Sequence, residues 1–170
     1  MTADVITREM VTDDCMRTLF GQRLVTNIVR GTFVEAMVNL ALRGWDFEHD
    51  GARLEVRQAA SLQPWDEARK IDDRPIEFDI APRTGHWAAE GWVKITPPRR
   101  LANVYAFAHH PCTNASADHR EPGQWKFYIG PETALPRKRR ISLKAVQDVA
   151  KAEVGISGLR ARICEIEDQL

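Results

Sequence analysis

The spacing of hydrophobic and polar positions changes along the chain, and these changes predict its elements. Residues 19–42 lack proline and place apolar side chains at helical intervals, which predicts a helix that ends at Gly44. Polar and apolar residues alternate from 53 to 58, which is typical of a strand. Apolar runs predict four further strands, at residues 78–80, 92–95, 104–107 and 125–129.

Two helices are predicted near the C-terminus. The first is capped by Ser142 and runs to about Lys151, and the second follows Gly158. A helix, several strands and then helices predict an α/β (α+β) fold in which a central mixed β-sheet is flanked by helices. The 170 residues suffice for one domain. Its expected parts are an N-terminal helical segment (about 1–43), a sheet core (about 44–130) and C-terminal helices (about 142–170).

A β-hairpin is predicted around Asp50-Gly51, a dipeptide that favours a two-residue turn. Counting outward from this turn pairs Asp46 with Glu55. One face of the hairpin is then apolar and holds Trp45, Phe47, Leu54 and Val56. The other face holds the charged residues Asp46, Glu48, Arg53, Glu55 and Arg57. A slip of one residue would scramble this segregation, so the pattern favours this register.

Glu35 lies within a stripe of the first predicted helix that is otherwise apolar or glycine. The stripe consists of Leu24, Ile28, Gly31, Glu35, Val38 and Leu42. Burying a carboxylate is costly unless it has a partner. That partner can be a neighbouring strand, an arginine or a bound cation, so the stripe alone leaves both a structural and a functional role open.

Glu35, Asp46 and Glu55 are candidate metal ligands. Two carboxylates that face each other across a hairpin repel, and either Arg57 or a bound cation can compensate them. A hard divalent ion accounts for all three carboxylates together, since magnesium takes one or two carboxylates with water and phosphate oxygens. The alternative is a solvated charged face, which the spacing leaves open.

These residues carry a resemblance to a known superfamily. Asp46, eight residues, and then Glu55-Val56-Arg57 resemble the Asp…(Asp/Glu)-x-Lys signature of PD-(D/E)XK nucleases. Glu35 matches an additional acidic residue that many members carry on the preceding helix, and Gln58 and Gln63 resemble supporting glutamines that follow the signature. Further stretches are similar to a group of uncharacterised bacterial proteins of this fold, at residues 44–65, 78–85, 104–107 and 117–128.

The resemblance implies a restriction endonuclease-like core and a metal-dependent nuclease, an endonuclease that hydrolyses phosphodiester bonds of nucleic acid, with DNA as the expected substrate. Glu35, Asp46, Glu55 and the backbone carbonyl of Val56 would hold Mg²⁺ or Mn²⁺. Asp46, Glu55 and Arg57 would be the catalytic residues. Arg57 stands where the family usually has lysine, and arginine stays charged and cannot act as a base. It can still bind a phosphate and stabilise developing negative charge.

Two other functions stay open. In the first, the chain is a catalytically weakened, nuclease-like scaffold that binds nucleic acid or a protein partner. In the second, it is an interaction protein whose carboxylates are neutralised by arginines, and residues 159–170 form a docking helix that packs Ile163 and Ile166 on a partner. A homodimer is expected for the nuclease, since a single-domain enzyme often needs two copies to cut both strands.

The formal net charge of zero requires any nucleic-acid contact to come from local basic patches. The candidates are Arg99, Arg100, His119, Arg137, Lys138, Arg139 and Arg140. Solvated loops are the alternative for the basic clusters. The five tryptophans are expected to be core and loop anchors rather than base-stacking platforms.

The remaining composition excludes several classes of protein. The three cysteines are too few and too scattered for a disulfide framework or a paired-cysteine zinc site. The acidic N-terminal stretch lacks the pattern of a signal peptide, and no window approaches the roughly 18 apolar residues of a membrane span. We therefore expect a cytoplasmic protein with reduced thiols and no membrane partner.

Overall fold

The computed structural model describes residues 7–21, 23–42, 53–63, 66 and 75–170. Its helices are α1 (Arg8–Phe20), α2 (Asn27–Ala41), α3 (Leu143–Ala150) and α4 (Leu159–Glu167). Its strands are β1 (Leu54–Ala60), β2 (Glu77–Asp79), β3 (Arg83–Ala88), β4 (Gly91–Arg99), β5 (Val104–His110), β6 (Lys126–Pro131), β7 (Arg140–Ser142) and β8 (Glu153–Val154).

The central sheet has four described strands in the order β1-β5-β6-β8. β1 is parallel to β5, whereas β5 with β6 and β6 with β8 are antiparallel, so the sheet is mixed. In the β1–β5 register Glu55 lies beside Tyr105 and Arg57 beside Phe107. Among the described residues β1 is an edge strand.

Both faces of the sheet are covered. Alternate residues of β5 point to opposite faces, since side chains alternate along a strand. Val104, Ala106 and Ala108 pack with α2 and α4, whereas Tyr105 and Phe107 pack with β2, β7 and α3. The fold is therefore mixed α+β, with a central mixed sheet flanked by helices.

Two smaller pairings complete the fold. β2 and β7 form an antiparallel pair that covers part of the sheet. β3 and β4 form an antiparallel ribbon, and among the described residues they make few contacts with other elements. Most of β4 is exposed.

The predicted helix at 19–42 is wrong in its extent. α1 ends at Phe20 and α2 begins at Asn27, with Thr26 as its N-cap. Apolar spacing continues across the break, so periodicity alone does not reveal it. Ile28, assigned to the buried stripe, is 89% exposed. The residues of α2 that are buried are Arg30, Val34, Met37 and Val38.

The main strand predictions are confirmed, and β1 extends two residues beyond the predicted end. Leu54 and Val56 pack on the α2 face, as the alternation predicts. The first hairpin strand, with Asp46, lies outside the described residues, so its pairing with Glu55 stays a prediction. Ser142 caps α3 as predicted, its Oγ accepting a hydrogen bond from the Ala145 amide at 3.3 Å.

The prediction that the last helix packs two isoleucines on a partner is wrong. Ile163 and Ile166 of α4 are buried in the chain's own core, against α2 and the sheet, so they are not available to a partner. In the described part of the chain, no helix combines the length and apolar character that crossing a membrane requires.

Candidate active site

An open pocket of about 620 Å³ lies along the edge of β1. α2 contributes Glu35 to its wall, and β1 contributes Glu55, Val56 and Arg57. The structure thus brings together four of the residues that the sequence predicts for one site. Asp46 lies outside the described residues.

Glu55 is held by two arginines. Arg57, two residues along the same face of β1, forms an ion pair with the Glu55 carboxylate. Arg83, at the start of β3, donates from Nη2 to the same carboxylate oxygen at 3.1 Å. The Arg57 Nε is buried without a hydrogen-bond partner within the described residues. The sequence offers the contact with Arg57 as one of two alternatives, beside a bound cation, and does not indicate the contact with Arg83.

Burial raises the pKa of the Glu55 carboxyl above its ordinary value. Arg83 opposes this rise and Asp79 reinforces it. Tyr105, beside Glu55 in the sheet, is also affected, since burial and the Glu55 charge raise the pKa of its hydroxyl to about 12. Tyr105 therefore stays protonated at neutral pH, and Arg83 favours the ionised form of Glu55.

Glu35 is exposed, so the prediction that it lies on the buried stripe of α2 is wrong. The buried face is rotated from the predicted stripe, because Arg30, Val34 and Met37, which lie outside the stripe, are buried together with Val38. Glu35 nevertheless lines the same pocket as Glu55. Because Glu35 is exposed, the cost of burying its carboxylate is not an argument for a bound metal. The remaining argument is its position at the pocket.

Gln58 and Gln63 both bind Arg30 of α2. Arg30 donates from Nε to the Gln58 side-chain oxygen and from Nη1 to that of Gln63, the latter at 3.1 Å. Arg30 is only 8% exposed, and burial lowers the pKa of its guanidinium. The two glutamines therefore fasten α2 to β1 and to the segment after it. Neither lines the pocket beside Glu55.

The residues present fit a magnesium ion in their chemistry. Two carboxylates that line one pocket are the number that magnesium usually takes, with waters completing its shell. Within the described ranges there is no cluster of three or more histidine, cysteine or acidic side chains that could hold a metal. A third carboxylate would have to come from Asp46, outside those ranges.

Two of the predicted nucleic-acid contacts are corrected. The Arg100 side chain is 7% exposed, and its guanidinium donates to the carbonyls of Ile80 and Pro136 and to Glu132 at 3.0 Å or less. His119 is fully buried, against His110 and Trp125. Neither side chain can reach a phosphate in this structure.

The other basic candidates are exposed. Arg99 ends β4 at the surface, and the cluster of Arg137, Lys138, Arg139 and Arg140 is also exposed. Arg140 forms an ion pair of 3.4 Å with Glu77 on the neighbouring strand. Contact of these side chains with nucleic acid stays a prediction.

Arg83, Asp79 and Arg30 are the site residues that sequence reasoning missed. Arg83 lies 28 positions from Glu55 along the chain, and Arg30 lies 28 positions from Gln58. Pairings at this separation depend on the packing of elements, so local spacing does not reveal them. Asp79 and Arg83 lie within residues 78–85, one of the stretches that carry the resemblance. That resemblance is the one sequence signal that could have pointed to them.

The chain was compared with known proteins at the level of families, sequences and structures. It matches no family model, no curated protein and no solved structure.

Proposed function

We propose that this chain is a metal-dependent nuclease of the PD-(D/E)XK type, with a restriction endonuclease-like core, that hydrolyses phosphodiester bonds of nucleic acid, with DNA as the expected substrate. The observation that carries the proposal is the pocket at the edge of β1. Glu35 reaches it from a helix, and Glu55, Val56 and Arg57 reach it from one strand. Glu55 and Arg57 belong to the second half of the sequence signature, and Glu35 matches the additional acidic residue on the preceding helix.

In this proposal Glu35, Asp46, Glu55 and the Val56 carbonyl hold Mg²⁺ or Mn²⁺. The ion would supply charge neutralisation at the phosphate and lower the pKa of a water. Arg57 keeps its charge at all working pH values, so it binds a phosphate oxygen and stabilises developing negative charge rather than taking a proton. Arg83 favours the ionised form of Glu55. Gln58 and Gln63, through Arg30, position α2 against β1.

One observation favours a second function, a nuclease-like scaffold without turnover. Glu55 already has two cationic partners, Arg57 and Arg83, so its charge is compensated without a metal. A divalent ion would have to compete with both guanidinium groups for the carboxylate. Such a scaffold would bind nucleic acid or a protein partner through the same surface.

Metal binding separates the two functions. We would titrate Mg²⁺ and Mn²⁺ into the protein by calorimetry and assay cleavage of plasmid and single-stranded DNA in parallel. Wild type would be compared with Asp46→Asn and Glu55→Gln, and with Glu9→Gln, an exposed carboxylate on α1, as the matched control. The nuclease predicts that the first two variants lose metal binding and cleavage together, whereas Glu9→Gln keeps both.

Arg57 provides a second test of the nuclease. Arg57→Gln should slow cleavage on the order of 100-fold, as expected for loss of one group that stabilises the transition state. Arg57→Lys restores the usual residue of the signature and should keep the rate within about tenfold of wild type. A wild type that binds neither ion at millimolar concentration would exclude the nuclease and leave the scaffold.

A further inference from the structure

A second pocket, of about 250 Å³, adjoins the candidate active site. Arg53, Leu101 and Ala102 line both pockets, so the two share one wall. The second pocket lies where three segments meet: the start of β1, the connection between β4 and β5, and the residues after β6. A ligand that occupies the site beside Glu55 can therefore extend into this pocket.

The charged side chains of the second pocket are mainly cationic. Arg53, Arg99 and Arg100 line it together with one carboxylate, that of Glu132. Arg100 donates to the Glu132 carboxylate at 3.0 Å, so these two charges compensate each other. Within the described part of the chain, the guanidinium groups of Arg53 and Arg99 form neither a hydrogen bond nor an ion pair. Two positive charges at this pocket are therefore available to an anion.

Hydrogen bonds fasten the backbone around the pocket. The Arg53 amide donates to the Asn103 side-chain oxygen at 3.2 Å, and the Asn103 amide donates to the Arg53 carbonyl at 2.9 Å. The Glu132 amide in turn donates to the Asn103 carbonyl at 2.7 Å. Because the side-chain oxygen of Asn103 already accepts a bond, its NH2 group remains as a donor at the pocket.

Strand pairing places the two cations near Glu55. Arg99 lies opposite Arg83 in the register of β3 and β4, and Arg83 donates to the Glu55 carboxylate at 3.1 Å. Arg53 immediately precedes β1, two positions before Glu55. The strands that position the candidate active site therefore also position the cations of the second pocket.

We propose that the second pocket binds a phosphate group of the nucleic-acid strand, one that flanks the phosphate cleaved beside Glu55 and Arg57. The inference rests on the proposed function and adds a subsite to it. Two guanidinium groups and an amide donor match a phosphate, since arginine binds phosphate oxygens through charge-assisted hydrogen bonds. Such a contact reads no base, but it adds affinity and fixes the position of the strand on the protein.

The subsite is tested by the salt dependence of DNA binding, measured by fluorescence anisotropy in EDTA with a short labelled duplex and with one of its single strands. Arg53→Gln with Arg99→Gln should reduce the slope of log affinity against log salt by about 0.9 for the duplex, or about 0.7 for the single strand, for each phosphate no longer neutralised. Affinity should fall on the order of tenfold, as expected for loss of a charge-assisted contact.

The matched control removes the same charge elsewhere. Lys144→Gln with Arg160→Gln changes exposed positions on α3 and α4 and should leave the slope unchanged. Equal slopes for wild type and the Arg53/Arg99 variant would overturn the subsite. An equal reduction by the control pair would also overturn it, because the effect would then follow from total charge alone.

Inorganic phosphate separates a subsite for the strand from a site for a free anion. Wild type and the Arg53/Arg99 variant would be titrated with inorganic phosphate by calorimetry. Binding that is lost in the variant, together with an unchanged slope for DNA, would assign the pocket to a free anion and overturn the subsite.

Cleavage assays with Mg²⁺ separate the subsite from the proposed function, because binding in EDTA does not depend on turnover. In the nuclease, Arg53→Gln with Arg99→Gln should raise KM on the order of tenfold and keep kcat within about threefold, since the contact is made before and during the reaction. A reduced slope without cleavage by wild type would overturn the nuclease and support the phosphate contact. Cleavage by wild type with equal slopes would overturn the subsite and leave the nuclease.

Discussion

At the scale of single residues, burial and a neighbouring charge act in opposite directions on the ionisation of the Glu55 carboxyl. Burial favours its protonated form, and Arg83 favours the ionised form. A carboxylate must be ionised to bind a cation, so any group that changes this balance also changes the pH at which a metal can bind. Arg83 is therefore a positioning residue with an electrostatic role.

Arg83→Gln should move the acid limb of metal binding to higher pH. Removing the cation raises the pKa of Glu55 further, so a smaller fraction is ionised at any pH near that value. Mn²⁺ affinity measured by calorimetry across pH should fall in the acid range and approach that of wild type at higher pH. Arg99→Gln, on the neighbouring strand opposite Arg83, should leave the profile unchanged. Superimposable profiles for wild type and Arg83→Gln would contradict the role of Arg83.

The sequence predicts the local part of this site and not the distant part. Glu55 and Arg57 are two positions apart on one strand, so alternation places them on the same face, and their ion pair is one of the two alternatives that the sequence leaves open. The partners from β3 and α2 come from elements whose contacts are decided by the packing of the whole chain. Glu35 shows the same limit, since a rotation of α2 relative to the predicted stripe exposes it.

At the scale of elements, Arg100 joins the end of β4 to two loops. Its guanidinium binds the Ile80 carbonyl after β2, the Pro136 and Lys138 carbonyls before β7, and Glu132 after β6. One buried cation thus binds groups from both the β2–β3 and the β6–β7 connection. Its neighbour Arg99 is exposed and makes no such contact in the described structure.

Arg100→Ala should lower the free energy of unfolding by about 3 kcal/mol, because it leaves the buried Ile80 carbonyl, the partly buried Pro136 carbonyl and the Glu132 carboxylate without this donor. Arg99→Ala should change the same quantity by less than about 0.5 kcal/mol. Urea unfolding followed by far-UV circular dichroism would measure both. Equal effects of the two substitutions would show that the bonds of Arg100 do not stabilise the fold.

The sequence predicts those elements that have a clear hydrophobic pattern or a clear capping residue within a single segment. β1 alternates strictly, and α3 has a clear cap at Ser142, so both are predicted near their observed positions. α1 has no buried residue, and β7 has only three residues, so neither leaves a strong pattern. The parallel pairing of β1 with β5 joins distant segments and cannot be read from either one.

At the scale of the whole molecule, three buried histidines link the stability of the fold to pH. His110 and His119 lie edge to face, with ring centroids 4.8 Å apart, beside Trp125. His109 lies on the adjoining position of β5 and contacts the Ser61 hydroxyl at 3.0 Å. Both ring nitrogens of His119 are buried without a partner in the described structure.

Burial keeps these histidines neutral in the folded protein. It lowers the pKa of His109 and of His119 to about 4, and it lowers the pKa of His110. In the unfolded chain each should titrate near about 6.5. Between these values the unfolded state binds more protons than the folded state, so the free energy of unfolding falls as the pH falls from about 6.5 to about 4.

The expected loss of stability is about 1.4 kcal/mol per pH unit for each of His109 and His119 in this range, as an upper bound. Urea unfolding at several pH values between about 7.5 and 4.5 would measure it. His119→Phe removes one titrating group and its two unpaired nitrogens, so its stability should depend less steeply on pH. His86→Gln changes an exposed histidine of β3 and should keep the wild-type slope. If His119→Phe kept that slope as well, protonation of His119 would not contribute to the pH dependence.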